Sequence, residues 1–200
     1  MILILVGASG SGKSTLAKTL CRFSNFEQVV TSTTRPMREG EENHISYNFL
    51  TEEEFNEIND KQGFLETSNY RGWHYGTPYP NKCENLVYVL TPAGARKFKK
   101  LFKDEVKIIF LDVDRRSRLI KLLERGDNVD EAYRRNLTDV GQFDNFEFEA
   151  DYTLKNDKYT KAPVELAGEI LQKLNIKVSM EAIKEYLIDC TDIAKTIFGL

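Results

Sequence analysis

The chain lacks the features that would mark it as a disulfide-stapled, zinc-binding or nucleic-acid-coating protein. Its 200 residues include 3 cysteines and 2 histidines, and no two cysteines have Cys-x-x-Cys spacing, which disfavours a zinc site and a disulfide framework. Asp and Glu outnumber Lys and Arg by 31 to 28, so the charge balance argues against a nucleic-acid partner. We therefore expect a protein of the reducing cytoplasm, long enough to bury its own core.

The chain also lacks a hydrophobic run long enough for a membrane span. Its first apolar segment, Ile2 to Val6, has no basic lead-in and stops at Gly7, far short of the ~20 residues that a span needs. We interpret this segment as a buried first strand and predict no membrane partner.

What the chain does have is an alternation of strand-like and helix-like segments. After the first strand and a glycine-rich turn, Leu16, Leu20 and Phe23 recur at helical spacing. Further strands are predicted at 86–90, 106–111 and 152–154, and further helices at 93–102, 116–124 and 163–174. This order predicts an α/β fold with a parallel sheet covered by helices on both faces, a three-layer α/β/α arrangement.

Two segments interrupt this alternation. Residues 31–82 are predicted to form an inserted α+β lobe, with one helix that starts at a capping box of Thr51 and Glu54 and with short antiparallel strands. Residues 121–149 are dense in charge and are predicted to form a helical lid. We predict one domain over 1–200, with its core in 1–30, 83–120 and 150–175. An amphipathic helix at 178–199 would cover either this domain or a second subunit of a homodimer.

The strongest motif runs from Gly7 to Ser14 and fits G-x-x-x-x-G-K-[ST] between a strand and a helix. Glycines let backbone N–H groups wrap a phosphate, and the helix N-terminus favours its charge. Lys13 can bridge β- and γ-phosphates, and Ser14 can ligate Mg²⁺. This predicts a P-loop NTPase fold that binds ATP through Gly7, Ala8, Ser9, Gly10, Ser11, Gly12, Lys13, Ser14 and Thr15. The Asn-Lys-x-Asp motif of GTP switches is missing.

A second group of candidates lies within 31–82. Arg35 and Arg38 are three residues apart, and Tyr47 follows nine residues later. Two guanidiniums and a phenol can clamp a phosphate dianion, although the spacing alone would suit solvated loop charges equally well. Glu66 follows an apolar pair, and Tyr75-Gly76-Thr77 follows Trp73-His74; taken alone, these would be edge-strand residues.

Together these motifs resemble the guanylate kinase family from Ile2 to about Leu174. The family pattern of Thr-Thr-Arg, a second Arg, Gly-Glu, Tyr-x-Phe, Phe-hydrophobic-Glu and Tyr-Gly-Ser/Thr occurs here in order. The resemblance implies that the phosphate of GMP is held by Arg35, Arg38, Tyr47 and Tyr75. It also implies that Glu66 accepts hydrogen bonds from guanine, whose paired N–H donors adenine lacks, and that Thr31 and Thr77 offer hydroxyls to the base.

The resemblance extends to the lid. Arg125 matches a donor-phosphate arginine, and Arg134 or Arg135 stands near a second one, although that family arginine falls closest to Asn136. Asn156 matches the residue beside the adenine of ATP, but it would also suit an ordinary turn. The implied catalytic set is Lys13, Arg35, Arg38, Arg125, Arg134 and Arg135.

The chain departs from the family at the strand predicted for 86–90. The family has an Asp-x-Asp end there, whereas this chain has Tyr88 and Leu90. Asp112 and Asp114 follow the next strand instead. They either cap the helix that comes after it or approach the donor nucleotide, and we favour the cap.

The function implied by the resemblance is transfer of the γ-phosphoryl group of Mg·ATP to GMP or dGMP, giving ADP and GDP or dGDP. Two alternatives remain open: a noncatalytic guanylate kinase-like binding module, and a kinase of the same fold with another nucleoside monophosphate as acceptor. The complete phosphate loop and the two acceptor arginines favour the enzyme.

Overall fold

The computed structural model describes residues 1–38, 40–70, 72–81 and 85–186, except for the side chain of Tyr70. Its strands are β1 Ile2–Val6, β2 Glu27–Gln28, β3 Ser32–Thr33, β4 Asn48–Phe49, β5 Phe64–Tyr70, β6 Trp73–Pro78, β7 Leu86–Val89, β8 Val106–Asp112 and β9 Tyr152–Lys155. Its α-helices are α1 Lys13–Phe23, α2 Glu52–Asp60, α3 Pro92–Phe102, α4 Arg115–Glu124, α5 Val129–Thr138 and α6 Pro163–Lys173.

Five strands form one sheet in the order β2-β7-β1-β8-β9. The pairs β2–β7 and β8–β9 are parallel. Every residue of β1 is buried, which explains why its sequence is continuously aliphatic rather than alternating. The predicted α/β class and parallel sheet are confirmed.

The chain divides into two compact units, Met1–Ile4 with Glu27–Lys107 and Leu5–Phe26 with Ile108–Leu200. The first unit holds a four-stranded sheet of order β4-β3-β6-β5. The pairs β3–β6 and β5–β6 are antiparallel, but β3 and β4 are parallel. The prediction of antiparallel strands is therefore wrong for β4. The long connection between β3 and β4 returns the chain to the end of the sheet where β3 began, which a tight hairpin cannot do.

The helices of the first unit begin where the sequence predicts. The Thr51 hydroxyl accepts from the Glu54 N–H at 3.2 Å, and the Glu54 carboxylate accepts from the Thr51 N–H at 2.8 Å, which completes the capping box of α2. Thr91 caps α3, whose first residue is Pro92. Because both caps satisfy N–H groups that the helix leaves unpaired, local sequence is enough to set these starts.

In the second unit, α1 packs against α6. The predicted apolar positions of α1 are all buried: Leu16, Leu20 and Phe23. Asp114 caps α4 by accepting from the Ser117 N–H at 2.9 Å. The cap interpretation is thus confirmed for Asp114, whereas Asp112 is the last residue of β8. Hydrogen bonds from the Ser117 side chain and from its backbone N–H hold the pKa of Asp114 below its usual value.

The C-terminal helix predicted for 178–199 is only partly within the described residues. Residues 180–186 are helical, and the Phe23 and Tyr186 rings meet edge to face with centroids 5.6 Å apart. The part of this prediction that concerns residues 187–199, and with it the homodimer prediction, lies outside the described residues. In the described part of the chain, no helix combines the length and the apolar character that crossing a membrane requires.

Candidate active site

The phosphate loop leads from β1 into α1 through a backbone that only glycine allows. A Cβ at Gly7 would lie 2.7 Å from the Leu111 carbonyl oxygen, and one at Gly10 would lie 2.9 Å from the Arg118 carbonyl oxygen. Gly10 and Gly12 have φ angles of 82° and 94°, in the left-handed region. Gly12 is the N-cap of α1, so the unpaired N–H groups of the first turn follow the loop directly, as an anion site requires.

Lys13 folds back over this loop. Its Nζ donates to the carbonyl oxygens of Gly7 at 2.7 Å and Ala8 at 2.9 Å. Burial lowers the pKa of Lys13 to about 8. The charge of Asp139 raises the pKa of Lys13. Three nearby cations lower it further: Arg135, Arg118 and Arg125. A cluster with this excess of positive charge is suited to a polyanion.

A carboxylate from the C-terminal end of α5 reaches the loop. The Ser9 N–H donates to Oδ2 of Asp139 at 2.6 Å, and the same oxygen lies 3.4 Å from Nη1 of Arg118. Arg118 is 8% exposed, and its Nε donates to the Val113 carbonyl at 3.0 Å. Burial lowers the pKa of Arg118.

Sequence reasoning missed both Asp139 and Arg118. Arg118 is one of three arginines within four residues, and only the packing of α4 shows that it is the buried one. Asp139 follows a charge-rich helix, where an acidic residue is ordinarily solvated. We find no sequence signal that distinguishes either residue.

The predicted lid arginines fall into two groups. Arg125 donates to both carboxylate oxygens of Asp127, at 2.7 and 2.5 Å, and Arg135 donates to the same carboxylate at 3.3 Å. Arg134 instead forms a two-point contact with Glu131, at 3.0 and 2.6 Å. Because Arg125 and Arg135 both act on the pKa of Lys13, Arg135 is the stronger candidate of the neighbouring pair.

Asn136 has a different role from the arginine that the family places nearby. It is 1% exposed, and its side chain joins α5 to α4. Its Oδ1 accepts from Nε of Arg115 at 2.6 Å, and its Nδ2 donates to the Arg115 carbonyl at 3.0 Å.

The turn after β9 is held by hydrogen bonds between one side chain and the backbone of the same turn. Asn156 is 5% exposed; its Oδ1 accepts from the Lys161 N–H at 2.9 Å, and its Nδ2 donates to the Lys161 carbonyl at 3.1 Å. The predicted contact of Asn156 with adenine stays a prediction. Beside this turn is a cavity of about 360 Å³, lined by Ser117, Ile120, Lys121, Glu124, Lys158 and Tyr159.

In the first unit, Arg35 is held rigidly. It is 4% exposed, its Nη2 donates to Glu41 at 2.8 Å, and its Nη1 donates to the Pro36 carbonyl at 2.6 Å. Its guanidinium carbon lies 5.4 Å from the Tyr47 ring centre and 5.5 Å from that of Phe49. Burial alone would lower the pKa of Arg35, but the hydrogen bond and charge of Glu41 outweigh it, and the pKa is raised.

Glu41 organises both acceptor arginines, although it is not among the predicted site residues. Its second oxygen accepts from the backbone N–H of Arg38 at 2.8 Å. Burial would raise the pKa of Glu41, but the hydrogen bonds from Arg35 and Arg38 lower it instead. The available signal is its position three residues after Arg38, within reach of both arginines.

Tyr47 and Tyr75 lie next to Arg35. Their ring centres are 6.2 Å apart, and both tyrosines act on the pKa of Arg35. Tyr75 is brought there by β6, where it pairs with Thr33 of β3. The structure therefore brings three of the four predicted phosphate ligands together, and it places the half-buried Arg38 beside Glu41.

Two of the three predicted base-binding residues, Glu66 and Thr77, lie on β5 and β6. Glu66 is directly opposite Thr77, and Tyr75, two residues earlier, shares the face of Thr77. Burial raises the pKa of Glu66, and the charge of Lys97 opposes this. A Cβ at Gly94 in the first turn of α3 would collide with Oε2 of Glu66, so a larger residue there would push the carboxylate away from its present position.

Thr31 is not brought to this face by any contact that we identify. It is half-buried just before β3, and its carbonyl accepts from the Asn48 N–H at 2.9 Å. The neighbouring Thr33 is fully buried, and its hydroxyl donates to the His74 carbonyl at 2.9 Å.

The β7 segment, where the family carries carboxylates, is part of the core. Tyr88 is fully buried, with its ring centre 4.7 Å from that of Phe98, and Leu90 is 7% exposed. Burial raises the pKa of Tyr88. Any acidic support for a metal must therefore come from elsewhere.

The donor side fits Mg²⁺ without an all-protein cage. Among residues 1–38, 40–70, 72–81 and 85–186, no cluster of three or more acidic, His or Cys side chains could hold a metal ion. Mg²⁺ ordinarily binds through one or two protein oxygens, substrate phosphates and water, and Ser14 is exposed in the first turn of α1. Ser11 Oγ is buried with no hydrogen-bond partner within that described part, and it lies 2.7 Å from where a Cβ of Gly7 would be.

Comparisons of the sequence and of the structure with known proteins point to the same family. A family model described as guanylate kinase matches residues 1–173. The guanylate kinase of Clostridium acetobutylicum is 28% identical over 195 residues, covering 94% of this chain and 92% of its own length. That of Prochlorococcus marinus is 31% identical over 159 residues, covering 74% and 86%. The crystal structure of guanylate kinase from Anaplasma phagocytophilum matches with a TM-score of 0.65 and 25% identity, covering 88% of this chain and 84% of that one.

Proposed function

This chain belongs to the guanylate kinase family, and from that premise we propose that it transfers the γ-phosphoryl group of ATP to GMP or dGMP, giving ADP and GDP or dGDP. The predicted P-loop NTPase fold is confirmed by the structural likeness. One observation carries the proposal. The chain combines a complete phosphate loop, closed by Lys13, with a buried Arg35 beside two tyrosines and a half-buried Glu66.

On the donor side, the backbone N–H groups of the loop and Lys13 bind the phosphates of ATP. Ser14 would hold Mg²⁺ together with those phosphates, and the bound ion would neutralise charge on the β- and γ-phosphates. Arg125 and Arg135 supply further positive charge near Lys13. The cavity beside Tyr159 is large enough for the purine of the donor.

On the acceptor side, Arg35, Arg38, Tyr47 and Tyr75 bind the phosphate of GMP. Arg35 presents a guanidinium that Glu41 and two rings already orient, so little side-chain entropy is lost on binding. Glu66 accepts from the two N–H donors of guanine, and Thr31 and Thr77 contribute hydroxyls.

In the transfer step, a phosphate oxygen of GMP attacks the γ-phosphorus. The bond from the γ-phosphorus to the β–γ bridging oxygen breaks, and ADP leaves with that oxygen. Positioning and charge neutralisation carry such a reaction, and no covalent enzyme intermediate is needed. We further propose that residues 121–149 act as a lid that excludes water, which would otherwise consume ATP.

The binding-module alternative is disfavoured by the presence of Lys13, Ser14, Arg35 and Arg38, because such a module needs none of them. The cytoplasmic location, the homodimer and the absence of membrane or nucleic-acid partners stay predictions.

A coupled assay of ADP release tests the proposal with GMP, dGMP, AMP, UMP and CMP as acceptors. We expect fast release with GMP, dGMP or both, and rates close to those of the acceptor-free reaction with the other three. Preference for another monophosphate would favour the second alternative. If no acceptor increases the release of ADP, the kinase proposal is contradicted and the binding-module alternative is favoured.

A further inference from the structure

A tyrosine outside the predicted site contacts the centre of the phosphate loop. The hydroxyl of Tyr159 donates to the carbonyl oxygen of Gly10 at 2.5 Å. Gly10 has a φ of 82°, and its lack of a side chain leaves the peptide after it with more rotational freedom than any other residue would. The loop therefore needs an outside contact at this point if its shape is to be defined before ATP binds.

The two hydrogen bonds of the Gly10–Ser11 peptide define its orientation. The carbonyl oxygen accepts from Tyr159, and the Ser11 N–H donates to the Ala8 carbonyl at 3.1 Å. In a planar trans peptide these two groups point in opposite directions, so the pair of contacts prevents rotation of the plane. The N–H groups that follow, at Gly12 and Lys13, start from this plane.

Tyr159 is itself held firmly. It and Lys158 have φ angles of 53° and 57°, a conformation that bulky residues rarely adopt and that the surrounding structure must support. Asn156 supplies that support, because its side chain binds both backbone groups of Lys161. The Nζ of Lys121 also lies 5.8 Å from the centre of the Tyr159 ring.

We propose that Tyr159 is a positioning residue of the phosphate loop: its hydroxyl holds the Gly10–Ser11 peptide in the orientation that receives the phosphates of the donor nucleotide. This inference rests on the proposed role of the loop in binding ATP. Tyr159 is thus a group on the donor side that touches the loop and not the reacting atoms. Loss of its hydroxyl should weaken binding of the phosphates of ATP and ADP and leave GMP binding unchanged.

The test compares Tyr159→Phe, which removes only the hydroxyl, with Tyr152→Phe as a matched control. Tyr152 lies in β9 and is half-buried, with its ring 5.2 Å from Nζ of Lys173. Calorimetry gives the dissociation constant of ADP, and steady-state kinetics give the KM values of ATP and GMP. For Tyr159→Phe we expect the ADP dissociation constant and the ATP KM to rise roughly three- to tenfold, as for loss of one hydrogen bond. The GMP KM and the control should change less than twofold.

An unchanged ADP dissociation constant in Tyr159→Phe would overturn the proposal. So would equal increases in the ATP and GMP KM values, because a general structural defect affects both. A Tyr159→Leu variant separates the role of the ring from that of the hydroxyl. If ADP binds more weakly to Tyr159→Leu but not to Tyr159→Phe, the effect belongs to the ring, and the proposal is also overturned. ADP binding requires no turnover, so a wild-type protein without GMP kinase activity would contradict the proposed function while this comparison remained decisive.

Discussion

The donor and acceptor regions neutralise phosphate charge in different ways. On the donor side, a lysine lies against backbone carbonyls, and burial lowers its pKa to about 8. On the acceptor side, Arg35 pairs directly with Glu41, and its pKa is raised. The donor region thus relies on backbone shape and on a charge that can be lost in mild base, whereas the acceptor region relies on a charge that persists.

The difference follows from the partners of each cation. Lys13 contacts uncharged carbonyls. Asp139, the carboxylate that raises its pKa, is engaged with Ser9 and Arg118. A buried ammonium without a direct counter-ion loses its proton readily. Arg35 has a carboxylate at 2.8 Å and a guanidinium that stays protonated throughout the physiological range.

The largest effect is expected from removing the donor cation. Lys13→Ala should lower kcat roughly a thousandfold, because charge on the transferring group is no longer neutralised, while GMP binding measured by calorimetry stays within about twofold. Lys18→Ala is the control, since Lys18 is exposed on the same helix. Activity of Lys13→Ala within about tenfold of wild type would show that the donor region does not depend on this lysine.

The next effect concerns recognition of the base. Glu66→Gln replaces one acceptor oxygen with an NH₂ donor that faces the donors of guanine, so kcat/KM for GMP should fall roughly a hundredfold. The ATP KM should not change. Glu53→Gln is the control, because Glu53 is exposed on α2. If the GMP preference survives in Glu66→Gln, another group reads the base.

A smaller effect should follow from releasing Arg35. Glu41→Gln keeps the shape of the side chain but removes the charge that orients Arg35 and raises its pKa. We expect the GMP KM to rise about tenfold, with the ATP KM unchanged. Glu42→Gln is the control, because Glu42 is the next residue and is exposed. A rise in the ATP KM as large as that in the GMP KM would contradict an effect confined to the acceptor region.

The smallest effect should appear in the pH dependence. Only protonated Lys13 attracts phosphate, so ADP affinity should fall roughly three- to tenfold from pH 7 to pH 9 as pH passes the lowered pKa, while GMP affinity stays flat because Arg35 remains charged. Asp139 raises the pKa of Lys13 against burial and against Arg135, Arg118 and Arg125.

Asp139→Asn should therefore move the ADP profile to lower pH. Asp144→Asn is the control, because Asp144 is an exposed carboxylate. Calorimetric titrations of ADP at several pH values measure the midpoint. An unmoved midpoint in Asp139→Asn would show that the carboxylate does not act on Lys13.

Features that depend on neighbouring residues were predictable. The loop between β1 and α1, the capping box of α2 and the caps of α3 and α4 are confirmed because glycine conformation and cap hydrogen bonds are local. The direction of β4 was mistaken because strand polarity depends on the path of the long connection before it. The position of Glu41 three residues after Arg38 was a weak local signal of its role. The sequence around Arg118, Asp139 and Tyr159 gave no sign that these residues contact the loop.

By itself, the sequence determined the main alternation of strands and helices, the glycine-rich loop motif and the family to which the chain belongs, because each is encoded in short patterns of residue type. Only the tertiary structure decided which of the many charged side chains are buried at the candidate site and contact one another. It buried Arg118 and Arg35, set Asp139 on the loop N–H of Ser9 and aimed Tyr159 at Gly10. Burial and long-range hydrogen bonds change the energy of a charge, and neither is encoded in the residues beside it.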